Sequence, residues 1–271
     1  MAKNFEIIEL AIDETKIQQL DVRRRNQLVG CMHAHNELTA LNRILMFSMN
    51  NTGVGELHDS AQSVQMWCLL QVLAAKIYET WIMLSERLLK ASPVDPALTK
   101  LSPEHRASLT WVTDYFASGR SNVLRIIRDK TAFHYDKLNM DDAIFGLSAR
   151  ENVVYLAEHP ANSLYYIGSS LVFRSVFAMI ADGAQDTAAL THGERTNLGF
   201  RIACEEVRNA NLHVHLLLYG LIENLLETTL GKPIHEMEQV RIPIQDAPDP
   251  DHVGLPTFIH IGQPNSAAER T

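Results

Sequence analysis

The chain has 271 residues, of which 46% are hydrophobic and 21% are charged. This composition suits one large folded domain or two small ones, and it excludes a disordered polypeptide. The formal net charge is −8, so no overall positive field draws the protein to nucleic acid or to an anionic lipid surface. Any polyanion would have to bind at a local basic site.

Cysteine usage and apolar patterning predict a cytoplasmic protein. Three cysteines, Cys31, Cys68 and Cys204, lie far apart in apolar helical contexts, and they provide neither a disulfide framework nor a Cys-x-x-Cys zinc pattern. Acidic residues interrupt the first 16 positions, so we expect no secretion signal. The most apolar stretch, 64–84, contains Gln, Lys and Glu residues, so we expect no membrane span.

The spacing of apolar residues, together with the proline positions, predicts a helical body. No proline precedes Pro93, and six of the ten prolines follow residue 232, so helix-breaking residues are concentrated in the tail. Apolar residues recur every three or four positions in the body. In chain order, this spacing predicts helices over 26–49, 58–91, 102–119, 121–132, 169–182 and 194–230.

Local signals mark some of the helix ends. Ser102 is suited to cap a helix that has Pro103 at its first position, and Gly119 is suited to end that helix. Gly220 is a candidate break in the last helix, which Gly231 is expected to close.

Strand signals are few and short. Two β-prone runs, 153–156 and 164–167, flank a polar segment that contains Pro160, and together they predict a hairpin. In the tail, 240–244 and 257–261 are candidate short edge strands, because their neighbouring prolines exclude a central position.

The predicted fold is therefore an all-α, multi-helix up-and-down bundle with a small β-hairpin and an irregular, proline-rich C-terminal tail. Residues 1–232 are expected to form a single helical domain with an N-terminal helical extension, and 233–271 to form the tail. Met66 lies at core spacing and is interpreted as a packing residue.

Sequence motifs for several common chemistries are absent. The chain has no phosphate-binding G-x-x-x-x-G-K-[ST] or G-x-G-x-x-G loop, no H-E-x-x-H zinc motif and no G-x-S-x-G elbow. The pairs His33/His35 and His213/His215 are spaced i, i+2, which on a helix points the two side chains about 200° apart. We therefore predict neither a metal site nor a cofactor.

The string Arg128-Asp129-Lys130-Thr131-Ala132-Phe133-His134-Tyr135 is the strongest candidate for a functional motif. It closes an amphipathic helix directly before a polar link. An Arg followed by a His at this spacing is unspecific, since about two such pairs are expected by chance in this composition. The acidic residue and the Lys after the Arg, with an aromatic residue after the His, supply the context. This string resembles the R-x(4–6)-H motif of the HEPN superfamily, which includes prokaryotic toxins, abortive-infection proteins and RNA-processing nucleases.

The resemblance covers 58–136 and extends over the helices to 230. It implies a helical homodimer in which two motifs face each other and cleave RNA without a metal, with Arg128 and His134 as catalytic residues. A histidine can exchange protons near neutral pH, and an arginine can hold a phosphate. The resemblance also implies that Lys130 and Tyr135 are supporting contacts to phosphate or leaving group, and that Asp129 orients a neighbouring side chain.

A second Arg-His pair, Arg208 with His213, is a weaker alternative site. Arg208 is followed by Asn209, as in the motif, but the pair lies inside a long predicted helix. Side chains five residues apart on a helix diverge by about 140°.

Each of these residues also has a structural interpretation. His134 could cap the end of its helix, Arg128 could pair with a carboxylate on a neighbouring helix, and Tyr135 could be a packing residue. Glu79 is a further candidate, because a carboxylate within an apolar helix needs a partner, either at the same site or in solvent.

Two functions therefore stay open. The first is a metal-independent endoribonuclease of HEPN type, a candidate toxin or phage-defence effector with an RNA substrate and a cognate antitoxin or other protein partner. The second is a non-catalytic helical dimer that binds a nucleotide, an RNA end or a protein partner. Catalysis requires Arg128 and His134 to converge in a cleft that is open to solvent.

Overall fold

Long helices form the body of the protein, at the positions that the apolar spacing predicts. The computed structural model describes residues 3–50, 55–90, 95–117, 123–132 and 140–260. Its helices are α1 (Glu14–Gln18), α2 (Val22–Ser48), α3 (Glu56–Leu84, continued as a π-helix over Ser85–Leu89), α4 (Pro96–Thr99), α5 (Pro103–Ala117), α6 (Val123–Ile127, continued as a π-helical turn over Arg128–Ala132), α7 (Asp141–Ile144), α8 (Tyr166–Ala184) and α9 (His192–Leu230).

The helix α9 is the centre of the bundle. It packs against α2, α3, α5 and α8, and its leucines Leu217, Leu218, Leu221 and Leu225 are almost wholly buried. Burying apolar side chains on more than one side of α9 stabilises the bundle, since each such side chain contributes about 1.5–3 kcal/mol when it leaves water.

The capping signals act largely as predicted. Ser102 Oγ accepts a hydrogen bond from the His105 amide at 3.3 Å, directly before α5. Gly231 closes α9 with φ 73°, as predicted, and Thr191 and Glu194, which were not predicted as a cap, form a reciprocal capping box at its start. The predicted helix ends at residues 91 and 119, and the predicted start at 121, lie outside the described residues.

Gly220 does not break α9, contrary to the prediction. The helix is continuous through it, and a Cβ there would lie 2.3 Å from Nδ1 of His105 on α5. The glycine therefore permits a close approach of two helices rather than a bend.

The small sheet is made by the two ends of the chain. Strand β1 (Lys3–Glu9) pairs antiparallel with β2 (Val240–Ala247). The prediction of an all-α bundle with one small pair of strands is confirmed. The N-terminal segment nevertheless begins with a strand rather than a helix, and the tail is more regular than expected.

One face of this β1–β2 ribbon is apolar. Phe5 lies opposite Ile244 and Ile7 opposite Ile242, with Val240 at the end of the same face. Phe5, Ile7, Ile242 and Val240 are between 38% and 57% exposed, so the described part of the chain leaves this face largely uncovered.

The predicted hairpin at 153–167 is reduced to a single β-bridge. Tyr155 and Leu164 exchange two backbone hydrogen bonds of 2.8 Å, but the flanking residues are not paired as strands. The reason is that α8 begins at Tyr166, so the last two residues of the predicted second strand belong to a helix whose apolar side packs on α9.

The tail folds back along the bundle. After β2, Asn50 Nδ2 donates to the carbonyl oxygens of Pro250, at 2.7 Å, and Val253. Gln65 Nε2 donates to the carbonyl of Pro256 at 2.9 Å. The strand predicted at 257–261 is absent over its described residues, 257–260.

Two helices, 56–89 and 166–184, are long and apolar enough to cross a membrane by length and composition. This is weak support for a membrane location, because core helices of a folded protein pass the same test. Both helices contribute side chains to the central core, including Leu73, Ile77, Phe177 and Ile180.

A pair of histidines meets where α2 packs on α9. The rings of His35 and His215 are 5.3 Å apart, and Thr39 Oγ1 lies 3.3 Å from Nε2 of His215. Burial lowers the pKa of both histidines, assisted for His35 by the neighbouring His215 and opposed for His215 by a hydrogen bond to the Asn211 carbonyl.

This pair predicts a loss of stability in mild acid. A histidine whose pKa is lower in the folded than in the unfolded state binds fewer protons when folded, so the free energy of unfolding decreases as pH falls below 6.5, the unfolded value. Urea unfolding at pH 7.5 and 5.5 should therefore show a smaller decrease for His215→Gln than for the parent. An equal decrease in the two proteins would contradict this assignment.

Candidate functional site

Arg128 lies where α6 changes to a π-helical turn. Val123, Leu124 and Ile127 are buried and hold α6 against its neighbours, which include α3. Thr131 Oγ1 donates to the carbonyl of Ile127 at 2.6 Å, which anchors the turn from within. Single π-helical turns are frequent at functional sites, and here the turn carries the predicted motif.

The guanidinium of Arg128 is held from three sides. Nη2 lies 2.7 Å from Oε1 of Glu79 on α3, and Nη1 donates to Oδ1 of Asp129 at 2.9 Å. The guanidinium carbon lies 5.2 Å from the centre of the Tyr78 ring, a distance at which a cation and an aromatic face attract. These contacts fix the direction of the side chain.

The Arg128 site lies at the surface. The Arg128 side chain is 34% exposed and that of Glu79 47% exposed, so Coulomb attraction between them is screened. Burial disfavours the charged form of Arg128, but the ion pairs with Glu79 and Asp129 outweigh it and raise the pKa of the guanidinium. Arg128 therefore carries its full charge at any physiological pH.

The neighbouring charges leave a small positive excess. Arg125 Nε lies 3.4 Å from Asp129, so Asp129 contacts two arginines. Lys130 makes no ion pair with another described residue. Arg125 and Arg128 are thus paired with the carboxylates Asp129 and Glu79, and Lys130, two residues after Arg128, adds one further positive charge.

The other half of the motif cannot be placed. His134 and Tyr135 lie outside the described residues. The convergence of Arg128 with His134 therefore stays a prediction. The structure does bring together Arg128, Asp129 and Glu79.

Tyr78 was not predicted as a site residue. Its only signal in the sequence is its position next to Glu79, the carboxylate within an apolar helix. That carboxylate contacts Arg128 and also reaches solvent, since its side chain is 47% exposed.

The alternative pair, Arg208 and His213, diverges on α9. Arg208 lines a trough beside α2 and α3. The His213 ring stacks on Trp111 of α5 with centroids 4.4 Å apart, and its Nδ1 lies 3.3 Å from Ser108 Oγ. The two side chains therefore face different neighbours, as their angular separation predicts.

The closely spaced histidines also face different neighbours. His33 lies 3.6 Å from Glu37 on its own helix, whereas His35 faces His215. Within the described ranges, no group of three or more His, Cys, Asp or Glu side chains is arranged to hold a metal ion. Burial raises the pKa of the Cys31 thiol to about 12, which keeps this thiol protonated and unreactive at neutral pH.

Comparisons with known proteins add no family assignment. No protein-family model, curated protein or solved structure matches the chain.

Proposed function

We propose that this protein is a metal-independent endoribonuclease of HEPN type, with Arg128 and His134 as its catalytic residues. The observation that carries the proposal is the Arg128 guanidinium, partly exposed and held in one direction by Glu79 and Asp129. A fixed arginine of this kind is suited to binding a phosphate, because fewer side-chain conformations have to be lost on binding. His134 follows six residues later in the sequence.

The chemistry is an internal attack within RNA. The 2′-oxygen of the ribose forms a bond to the adjacent phosphorus, and the bond from phosphorus to the 5′-oxygen of the next nucleotide breaks. His134 accepts the proton of the 2′-hydroxyl or returns a proton to the leaving 5′-oxygen. Arg128 stabilises the charge that accumulates on the phosphate oxygens.

The remaining motif residues have supporting roles in this proposal. Asp129 orients Arg128, to which it is hydrogen-bonded at 2.9 Å. Lys130 and Tyr135 contact the phosphate or the leaving group. Glu79 holds Arg128 from α3, and Tyr78 lies against the flat guanidinium.

A homodimer belongs to the same proposal, because one Arg-His pair offers few groups for phosphoryl transfer and a two-fold contact doubles them. The uncovered apolar face of the β1–β2 ribbon supports a second copy. A two-stranded ribbon alone is only marginally stable in water, and exposed apolar patches mark interaction surfaces.

Light scattering of the parent protein at micromolar concentration should give the mass of two chains. Ile7→Asp places a charge on the apolar face of the ribbon and should shift the population toward one chain, whereas Ile8→Asp, on the opposite face of the same strand, should not. A parent that scatters as a single chain would contradict the dimer.

The resemblance to the HEPN superfamily also suggests a cellular location and a biological role. We propose a cytoplasmic toxin or phage-defence effector that is controlled by a cognate antitoxin or another protein partner.

The second candidate function is a non-catalytic module that binds a nucleotide, an RNA end or a protein partner. Two carboxylates already engage Arg128, and the net charge of −8 weakens attraction to long RNA. An arginine whose charge is already paired with two carboxylates suits recognition of a small ligand better than binding of a polyanion.

The decisive experiment is the product chemistry of RNA cleavage. A labelled RNA incubated with the protein should be cut in the presence of EDTA, and the new ends should carry a 2′,3′-cyclic phosphate and a 5′-hydroxyl. A substrate with a single 2′-deoxynucleotide at the cleavage position should resist cutting there. Products with a 5′-phosphate would contradict attack by the 2′-hydroxyl and so the proposed mechanism, whereas an inert protein that binds a nucleotide would favour the binding module over the ribonuclease.

A further inference from the structure

A long apolar trough lies between α2, α3 and α9, and it is independent of the Arg128 site. Its volume is about 690 Å³, within the range of about 300–1,000 Å³ that is usual for small-molecule pockets. Its apolar walls are formed by Leu45, Met46, Met49, Met66, Leu70 and Phe200. Three of these are methionines, whose flexible side chains adapt to ligands of varying shape.

One residue that lines the trough, Asn211, carries a buried acceptor without a donor. Asn211 Nδ2 donates to Asn42 Oδ1 at 3.1 Å, but the buried Oδ1 of Asn211 has no hydrogen-bond partner among the described residues. An unsatisfied buried acceptor costs about 1–3 kcal/mol. Asn211 lines the trough, so a turn of its amide that brings Oδ1 to the trough surface would let a ligand N–H or O–H group supply that hydrogen bond.

Two arginines stand at the rim of the same trough. Arg201 and Arg208 both line it, both are exposed, and neither forms an ion pair within the part of the chain that the structure describes. Glu205 also lines the trough, so the rim has an excess of one positive charge. Arg208 is three residues before Asn211, which places the two side chains on the same side of α9.

These groups together define a ligand with three parts. An apolar chain would lie along the methionines and leucines, a donor would reach Asn211 Oδ1, and an anion would reach Arg208. Arg208 and Asn211 are helical neighbours, about 5–6 Å apart between their Cβ atoms, so donor and anion must be close together in the ligand. An N-acyl amino acid has this arrangement, because its amide nitrogen is bonded directly to the carbon that bears its carboxylate.

We infer that the trough is a binding site for an acylated small molecule whose head group carries a carboxylate beside a hydrogen-bond donor. The ligand class is that of the N-acyl amino acids. The acyl chain supplies most of the affinity, and the head group supplies the specificity.

Isothermal titration calorimetry with N-decanoylglycine, below the concentration at which it forms micelles, tests the inference. Affinity should fall about fourfold for each methylene removed, as buried apolar area requires. The N-methyl analogue, N-decanoylsarcosine, lacks the amide donor and should bind about fivefold more weakly. The methyl ester of N-decanoylglycine lacks the charge and should bind about tenfold more weakly.

Two variants connect these differences to the trough. Arg208→Gln should remove most of the preference for the carboxylate over the methyl ester, whereas Arg87→Gln, an exposed arginine outside the trough, should leave it unchanged. Met66→Trp should reduce binding of every chain length by filling the space. If Met66→Trp does not fold, the Arg208→Gln comparison still decides.

Several outcomes would overturn the inference. Equal binding of the acid and its methyl ester, or binding that Arg208→Gln leaves unchanged, would show nonspecific association of an amphiphile. Loss of a dimer in Met49→Lys, with no acyl ligand bound by the parent, would identify the trough as an interface between copies. This test does not depend on ribonuclease activity, because calorimetry measures binding alone. A failed ribonuclease assay would therefore leave its result unchanged.

Discussion

Replacing His134 by alanine is expected to slow RNA cleavage by about 10²–10⁴-fold, the usual contribution of a positioned general acid or base. The physical reason is that alanine can neither accept the 2′-hydroxyl proton nor return one to the 5′-oxygen. The measurement is the single-turnover rate on a labelled RNA, with the far-ultraviolet circular dichroism of both proteins compared. His235→Ala is the matched control, because its ring is 80% exposed and is separate from the motif.

Cleavage should also be sensitive to a conservative change at Arg128, the proposed catalytic partner of His134. Arg128→Lys keeps the positive charge but loses the planar fork, and one ammonium group cannot reproduce the contacts that the guanidinium makes to Glu79 and Asp129 together. Cleavage should therefore fall by a similar factor, while stability changes by less than about 1 kcal/mol because the ion pairs are exposed. If His134→Ala cleaves as fast as the parent, His134 is not the catalytic residue; if both proteins are inert and the parent binds a nucleotide, the binding module takes the place of the ribonuclease.

The long helices were predictable because their signals are local. Apolar residues at three- and four-residue spacing mark α3 and α9. Capping residues such as Ser102 and Gly231 can be recognised from the few residues next to the helix end. Local signals do not predict an element whose formation depends on a segment far away in the sequence. The strand β1 pairs with a segment more than 230 residues away, and no property of residues 3–9 alone specifies that partner.

The candidate site was predictable only in part, for the same reason. Arg128 and Glu79 each attracted attention in the sequence, one by its motif and the other as a charge within an apolar helix. Their 2.7 Å contact depends on the packing of α6 against α3, which connects positions 49 residues apart. Met66 was interpreted as a packing residue, yet it lines the trough, because periodicity does not distinguish a filled core from a cavity wall.

The second large effect is expected from Gly199→Ala, which should destabilise the protein by about 3 kcal/mol. A Cβ on Gly199 would lie 1.8 Å from the carbonyl oxygen of Phe177 on α8, so α8 and α9 would have to separate. The rotation of a side chain cannot relieve this clash, because the Phe177 oxygen belongs to the backbone and a Cβ is fixed to it. The Phe177 ring also contacts Trp67 and Phe200, at 4.7 Å and 5.3 Å, so the displacement would spread into the core.

Gly193→Ala isolates this cause from the general effect of replacing a helical glycine. Gly193 lies in the first turn of the same helix, and a Cβ there would meet no atom of the described segments within 4 Å. Alanine favours the helix over glycine by up to about 1 kcal/mol, so this variant should be as stable as the parent or more stable. Urea unfolding of the three proteins measures the difference. Equal midpoints for Gly199→Ala and Gly193→Ala would mean that α8 and α9 do not approach this closely in solution, since only that approach makes the two glycines different.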